Sequence, residues 1–480
     1  KAEMEASFVF GLQSVSGKVS QLAANQTFSN NPNYIAQDIA RYNNVTKEDV
    51  MRVFKKYIKD QHGVIMSVVP TGQLSSIAAK DSFVPGPRNA GNESSTSADD
   101  VAVRKGVDDF DRSLIPVAGA NKAVDIPEMW QHSFDNGISI LGAQSVETPT
   151  TSVLLKIPAG HYYTTKNKAG TAGLVVSMFR ESTTERSAED MSKALQKLGS
   201  SVYISAGNRY LNINISSLTK NLDATLSLVN EQLRAPAFLE SEFERVKNNA
   251  IQGALNNKKD AGYLASTAYR QLLNADNIAA MPSSGSEESL TNISLEDVKA
   301  FYQQQVKPFG GQLIAVSDLG QAELTKSLSI LENWQGKGAG LQLSLPEGNG
   351  KMGAIYLVNK DDAAQSVIRI GKRSMTQDIT GEYYKSSLMN FALGGAFNNR
   401  INLNLREDKG YTYGARSYFN GGKLSGYYTA TAEVRADATD KSIVEFINEI
   451  KDYSERGITD EELIFMRNSI NQKDALKYET

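Results

Sequence analysis

An α+β protein of duplicated domains, each an antiparallel or mixed β-sheet packed with α-helices, is the fold class that this sequence predicts. Three observations predict it. Strand-like alternation in LLKIPAG and YLNINISSL sits beside helix-like spacing of Leu222, Leu226, Val229 and Leu233 within one stretch of chain. A helix-then-strand layout occurs twice: VTKEDVMRVFKKYIKDQHGVIMSVVP returns as ISLEDVKAFYQQQVKPFGGQLIAV, with Glu296-Asp297-Val298 standing 248 residues after Glu48-Asp49-Val50. A second echo joins SEFERVKNNAIQ at Ser241 to EELIFMRNSINQ at Glu461, 220 residues on. Periods this long lie outside the roughly 20–50 residues of a solenoid repeat and indicate duplicated domains.

Taken in order, the first copy opens a helix at Thr46, a good N-cap, and follows it with an apolar strand at Val64–Val69. From Gln73 to Pro127 the chain loosens into Pro, Gly, Ser, Asn and Asp, a linker assigned to 76–125. Ser241–Gln252 and Glu461–Gln472 read as amphipathic helices. Leu393, Phe397, Ile401 and Leu405 fall at four-residue steps and predict one buried helical face running down to Arg406. Gly410 is then a left-handed stop. Tyr411, Tyr413, Ala415, Ser417 and Phe419 share one face of a strand, and Asn420-Gly421-Gly422 offers a hairpin turn into LSGYYTATAEV. Helix, turn and strand thus bring Arg406 and Tyr413 toward one place.

Composition excludes several functions. At 480 residues the chain exceeds one ordinary core, and about 100–200 residues per domain makes about three units. With 51 Lys and Arg against 54 Asp and Glu the formal net charge is -3, which leaves no electrostatic footprint for nucleic acid or anionic membrane. Cys is absent, so disulfides and thiolate metal sites are excluded, and His62, His132 and His161 lack metal-ligand spacing. No apolar run reaches the ~18–20 residues that span a bilayer. The chain starts at Lys1 and stops at Thr480 inside apparent helices, and reads as part of something longer.

LGGAFNNRINLNLREDKGYTYGARSYF resembles the signature of the pitrilysin/insulinase family of zinc peptidases, the inverzincins, with Arg406 and Tyr413 on its Arg and Tyr positions. Ala364-Gln365-Ser366, the strand VIRIG and FDRSLIP fit the same pattern, so the resemblance covers nearly the whole chain. It implies the family's metalloenzyme (LuxS/peptidase-like) fold, in which two homologous modules of two similar domains close around an unfolded peptide. On that plan 1–75 is the tail of the first module, 126–335 an inactive peptidase-like domain, and 345–480 a truncated C-terminal peptidase-like domain carrying the Arg/Tyr pair. The family's catalytic module bears H-x-x-E-H on a helix, whose two His bind zinc, whose Glu is the general base, and whose third ligand is a downstream Glu. Here AGTAGLVVSMF puts Gly173 and Ser177 at the His positions and Val176 at the Glu position, and VKNNAIQGAL offers Gln252 where the carboxylate belongs.

The resemblance therefore implies a C-terminal, non-catalytic, substrate-binding part of a zinc metalloendopeptidase. No metal or cofactor is expected in it, and zinc is expected in the first module, on the same chain or a partner chain. The partners implied are extended peptides and that catalytic module; nucleic acid and a membrane span are not expected. A modular fusion through an Asn/Ser-rich linker looks like bacterial members exported to the periplasm.

Arg406 and Tyr413 would donate to a peptide carbonyl or oxyanion. Without the resemblance, Arg406 is a helix-end cation and Tyr413 a cross-strand packing residue. Gly394 and Gly395 either let backbone approach a bound peptide or begin a tightly packed helix. His161 reads as a loop or strand-end residue. The competing function is a catalytically inactive homologue acting as a peptide-binding or structural subunit, as in the core of some respiratory complexes.

Overall fold

The computed structural model describes residues 1–80, 126–343 and 350–474, with a few isolated positions between them. The expected linker at 76–125 lies almost wholly outside the described residues. The chain divides into a larger unit, Lys1–Tyr42 with Asn121–Thr480, and a smaller one, Asn43–Ala120.

In the larger unit alternating sequences become strands of two sheets. The first contains β1 (Met129–Ser133), β2 (Ser139–Gln144), β3 (Thr150–Ile157), β4 (Ser201–Ala206), β5 (Leu211–Leu218) and β6 (Gln312–Ser317). Their order is β1-β2-β6-β3-β5-β4, antiparallel except between β2 and β6. Leu211, Ile213 and Ile215 of β5 and Val153, Leu155 and Ile157 of β3 turn into the core. Helix Leu222–Arg234 covers it with the expected stripe of Leu222, Leu226, Val229 and Leu233. Helix Leu295–Gln305, started by a reciprocal Ser294–Asp297 capping box, buries Val298 and Phe301 before the chain enters β6.

The second sheet has β7 (Gln365–Ser374), β8 (Thr412–Gly421) and β9 (Gly426–Arg435) in the order β7-β9-β8, all antiparallel. The expected hairpin forms, but its turn lies over Gly422–Ser425 and not at Asn420-Gly421-Gly422, because Asn420 and Gly421 continue the ladder opposite Tyr427 and Gly426. Helix Thr439–Arg456 packs Phe446 and Tyr453 into its core. Helix Ala261–Asn274 packs on the second sheet, where the Tyr269 hydroxyl donates to the Tyr428 carbonyl of β9 at 2.9 Å. Gly371 makes room for that phenol, because a Cβ there would collide with the hydroxyl. Burial pushes the Tyr269 pKa up to about 12.

The N-terminal helices Ala2–Gly11 and Val15–Ser29 lie against the first sheet's side of this unit. Ala6 is buried, Glu5 pairs with Lys220 at 2.7 Å, and Gln13 Nε2 donates to Thr150 Oγ1 at 2.8 Å. In the smaller unit helix Lys47–Tyr57 begins at Thr46 as expected, with Thr46 and Asp49 forming a capping box. The expected strand at Val64–Val69 is not formed. Its repeat counterpart, β6, lies between β2 and β3, which take up its backbone hydrogen bonds. Among the described residues of the smaller unit no strand stands beside Val64–Val69, so its backbone has no ladder to join. Val64 is 99% exposed, and Val50 and Val53 are exposed where their counterparts Val298 and Phe301 are buried.

Replacing Tyr269 by Phe removes a half-buried hydrogen bond and should cost about 1 kcal/mol in urea unfolding at neutral pH. Because the folded pKa is raised above the ordinary 10.0, this phenol's contribution is complete below pH 10 and is lost as pH rises toward about 12. The variant's alkaline loss of stability should therefore be shallower than that of the wild type.

Candidate functional site

Helix Glu382–Asn390 runs into a wide π-type turn at Phe391–Gly395 and stops. A fresh turn starts at Arg400 and widens again over Leu403–Asp408. The single helix expected across Leu393, Phe397, Ile401 and Leu405 is thus broken in its middle. Leu393, Ile401 and Leu405 are buried, but Phe397 is 71% exposed. Residue types account for the break: paired glycines weaken a helix, and Asn398-Asn399 favour caps over helix interiors. Asn399 caps the restart by accepting from Asn402 N–H at 2.8 Å, and its own amide donates to the Ala396 carbonyl. Gly394 and Gly395 close a helix instead of beginning one. A Cβ on Gly394 would collide with Ser417 of β8, and one on Gly395 would lie 3.1 Å from the Asn390 carbonyl.

The alternation expected from Tyr411 to Phe419 is also interrupted. Thr412 pairs with Val434 and Ala415 with Ala432, so Tyr413 and Gly414 together face Glu433 in a β-bulge. Ala415 and Ser417 point into the core, while Tyr413 is pushed outward and is 92% exposed. The bulge keeps its polar groups paired. Gly414 N–H donates to Thr412 Oγ1 at 3.1 Å, and Ala415 N–H donates to Asn402 Oδ1 at 2.9 Å.

Buried Asn402 therefore binds in two directions, because its Nδ2 donates to the Phe397 carbonyl at 2.9 Å. A parallel clamp is formed by Asn390, whose Nδ2 donates to the Ser417 carbonyl at 2.7 Å and whose Oδ1 accepts from Ser417 Oγ at 2.6 Å. Arg406 leaves the second wide turn with its guanidinium over the Phe397 ring, 4.9 Å from the centroid, and 3.4 Å from Glu407. Gly410, with φ +62°, then swings the chain into β8, and Tyr411 N–H donates to the Leu405 carbonyl at 2.8 Å. Arg406 and Tyr413 consequently stand on successive segments that share one buried support.

Behind them Arg400 holds helix Asp460–Asp474. Its Nε and Nη2 meet the Glu462 carboxylate at 2.6 and 2.7 Å, and Nη2 also donates to the Gly457 carbonyl at 2.8 Å. The Arg400 hydrogen bonds draw the Glu462 carboxyl below its ordinary value of 4.5. Asn390, Asn399 and Asn402 carry no motif in the sequence, and Phe397 carries only the spacing of a buried face. Their signal is the density of Asn in AFNNRINLN, unusual for a helix that continues.

The zinc-motif positions lie on helix Thr171–Met178, which packs on helix Glu240–Asn257. Val176 is buried, Gly173 has no side chain, and Ser177 Oγ donates to the Gly173 carbonyl at 3.0 Å. Gln252 is exposed. Imidazole and carboxylate donors are lacking at these positions, so the residues do not fit a zinc ion. Among the described residues no group of three His, Asp or Glu could hold a metal, and no helix is long and apolar enough to cross a membrane. His161, expected at a loop, occupies a short turn and is buried, with Nε2 3.1 Å from the Ile278 carbonyl. Burial pushes its pKa down.

The sequence matches the family model described as Peptidase M16 inactive domain over residues 292–470, and that described as Insulinase (Peptidase family M16) over residues 140–280. The Helicobacter pylori protein named Non-peptidase homolog YmxG is 25% identical over 335 residues, 69% of this chain and 76% of that protein. The solved peptidase M16 inactive domain from Pseudomonas fluorescens is similar with a TM-score of 0.67 at 22% identity, over 73% of this chain and 86% of that one. The first half of the periplasmic protease PqqL from Escherichia coli is similar with a TM-score of 0.58 at 16% identity, over 75% of this chain and 80% of that one. These two structures share the α+β fold expected from the sequence.

Two substitutions test the support. Asn402→Ala leaves the Ala415 amide buried without an acceptor and should cost about 1–3 kcal/mol in urea unfolding. The stabilisation that Glu462 draws from its depressed pKa is present above pH 4.5 and is lost as pH falls through the depressed value. Glu462→Gln should accordingly flatten the acid limb of the stability profile while lowering stability at neutral pH.

Proposed function

Because the chain belongs to the insulinase family, peptidase family M16, we propose that it is the non-catalytic, peptide-binding part of a two-module zinc metalloendopeptidase acting on unfolded peptides. The observation that carries this reading is the contrast between its two candidate sites. Gly173, Val176 and Ser177 supply no zinc ligand and no general base, whereas Arg406 and Tyr413 are held outward on a frame of buried asparagines. A guanidinium fork and a phenol hydroxyl are donors suited to a peptide carbonyl, or to the oxyanion that develops there during amide hydrolysis. Edge strands β4 and β8 offer backbone to which an extended peptide can add.

Zinc and the proton-moving carboxylate then belong to a catalytic module, whether on the same chain or on a partner, and Arg406 and Tyr413 complete its site from outside. Similarity to a protein described as a periplasmic protease supports a periplasmic location. The alternative, a peptide-binding or structural subunit without an active partner, is favoured by similarity to a protein named as a non-peptidase homologue.

The deciding experiment compares zinc content, binding of a labelled unfolded peptide and its cleavage for this chain alone and together with a catalytic module. Binding without zinc or cleavage by the chain alone, and cleavage only with the module, is the expected outcome. Arg406→Ala and Tyr413→Phe should each weaken binding about tenfold, the loss of one hydrogen bond to peptide. Unchanged binding in both variants would leave the structural-subunit reading, and stoichiometric zinc with cleavage by this chain alone would overturn both readings.

A further inference from the structure

Phe397 is the residue on which expectation and structure differ most. Its spacing from Leu393, Ile401 and Leu405 suits a buried helical face, yet it alone of the four is held out in water. It has not strayed there on a loose loop. The turn that carries it is closed by two buried asparagines, Asn399 bonding the Ala396 carbonyl and Asn402 the Phe397 carbonyl. One face of the ring is covered by the Arg406 guanidinium, and the other parts of it remain open. The amide of Asn402 that fixes this turn is also the one that fixes the bulge beneath Tyr413. An exposed ring, a cation stacked on it and an exposed phenol are therefore set on a single rigid support.

We propose that Phe397 is the specificity-determining residue of this site: its exposed ring surface receives an apolar side chain of an extended peptide whose neighbouring carbonyl is held by Arg406 and Tyr413. This rests on the peptide-binding reading and deepens it by naming the substrate class, peptides with Leu or Phe beside the bound carbonyl. The chemistry requires both halves. A ring presented to water gains free energy only by covering apolar surface, and the stacked guanidinium keeps its edge donors in the plane of the fork, free to reach a carbonyl beside that surface. An uncharged polar side chain at the same place would lose its hydration against the ring without compensation.

The test measures fluorescence anisotropy of labelled Gly/Ser-rich peptides that carry one central Leu, Phe or Ser, titrated with the full chain. The wild type should bind the Leu and Phe peptides about tenfold more tightly than the Ser peptide, the size of one apolar side chain largely removed from water. Phe397→Ala should abolish that discrimination, bringing the three affinities together, and Phe397→Leu should restore most of it. Arg406→Ala should instead weaken all three peptides by a similar factor. Binding that depends on Arg406 but shows no Leu or Phe preference, or a preference that survives Phe397→Ala, would overturn the role of Phe397 alone. No binding of any peptide by the wild type would overturn the peptide-binding reading and this inference with it.

Discussion

One side-chain amide governs the geometry of the second sheet's working end. Asn402 accepts from the Ala415 amide and donates to the Phe397 carbonyl, and the first of these bonds is buried, where the amide has no water to fall back on. A broken helix and a bulged strand are each unfavourable alone. Joined by this residue they satisfy one another, because the group freed by the bulge is the group the asparagine needs. The Asn390–Ser417 pair repeats the device one turn earlier, and Gly394 allows the backbones to come close enough for it. Low local dielectric makes such fully paired polar contacts strong and half-paired ones costly, so the two irregularities stand or fall together.

The rest of the larger unit acts as a mount for that frame. The six-stranded sheet and its helices form an apolar core to which buried Val176 of helix Thr171–Met178 adds. Helix Ala261–Asn274 carries Tyr269 to β9, with Gly371 opened to receive it, which holds that helix on the second sheet through a hydrogen bond. On the opposite side Arg400 spends its guanidinium on Glu462 and the Gly457 carbonyl, fixing the last helix against the restart of the broken one. Two arginines six residues apart thus have different fates. Arg400 is consumed by charge-assisted bonds within the fold, while Arg406 meets, among the described residues, its neighbour Glu407 and the ring beneath it.

Regular elements were legible because their causes are local. Period-two and period-3.6 patterns, the Thr46 and Ser294 caps, the existence of a hairpin between β8 and β9 and the stop at Gly410 all depend on residues within a few positions of each other. Failures came where a distant partner decides. Val64–Val69 has a strand's composition, but a strand exists only when neighbours accept its hydrogen bonds, and β6 alone of the two copies has them among the described residues. The bulge at Tyr413 depends on a contact between positions 402 and 415, which no short-range pattern encodes, whereas the outward turn of Phe397 is closed by asparagines three and five residues from their partners, whose signal is the density of Asn in that stretch. Arg406 and Tyr413 were singled out only through a motif; Asn402, which lies beneath both, was not.

The two candidate sites differ in what folding alone would favour. At helix Thr171–Met178, Val176 fills the core and Ser177 satisfies its hydroxyl on the Gly173 carbonyl, so no buried charge at these positions opposes the packing. At the Arg406 end the opposite holds. An unbroken helix would bury Phe397, gaining about 2 kcal/mol of apolar transfer, and an unbulged strand would restore the ladder and bury Tyr413. The structure forgoes both and commits three buried asparagines to maintaining the exposure. Arrangements that cost stability and are over-determined by their surroundings concentrate where a protein meets a ligand. The asymmetry between a regular helix at Thr171–Met178 and an irregular end at Arg406 therefore follows from what each one supports: an apolar core in the first case, an exposed ring and phenol in the second.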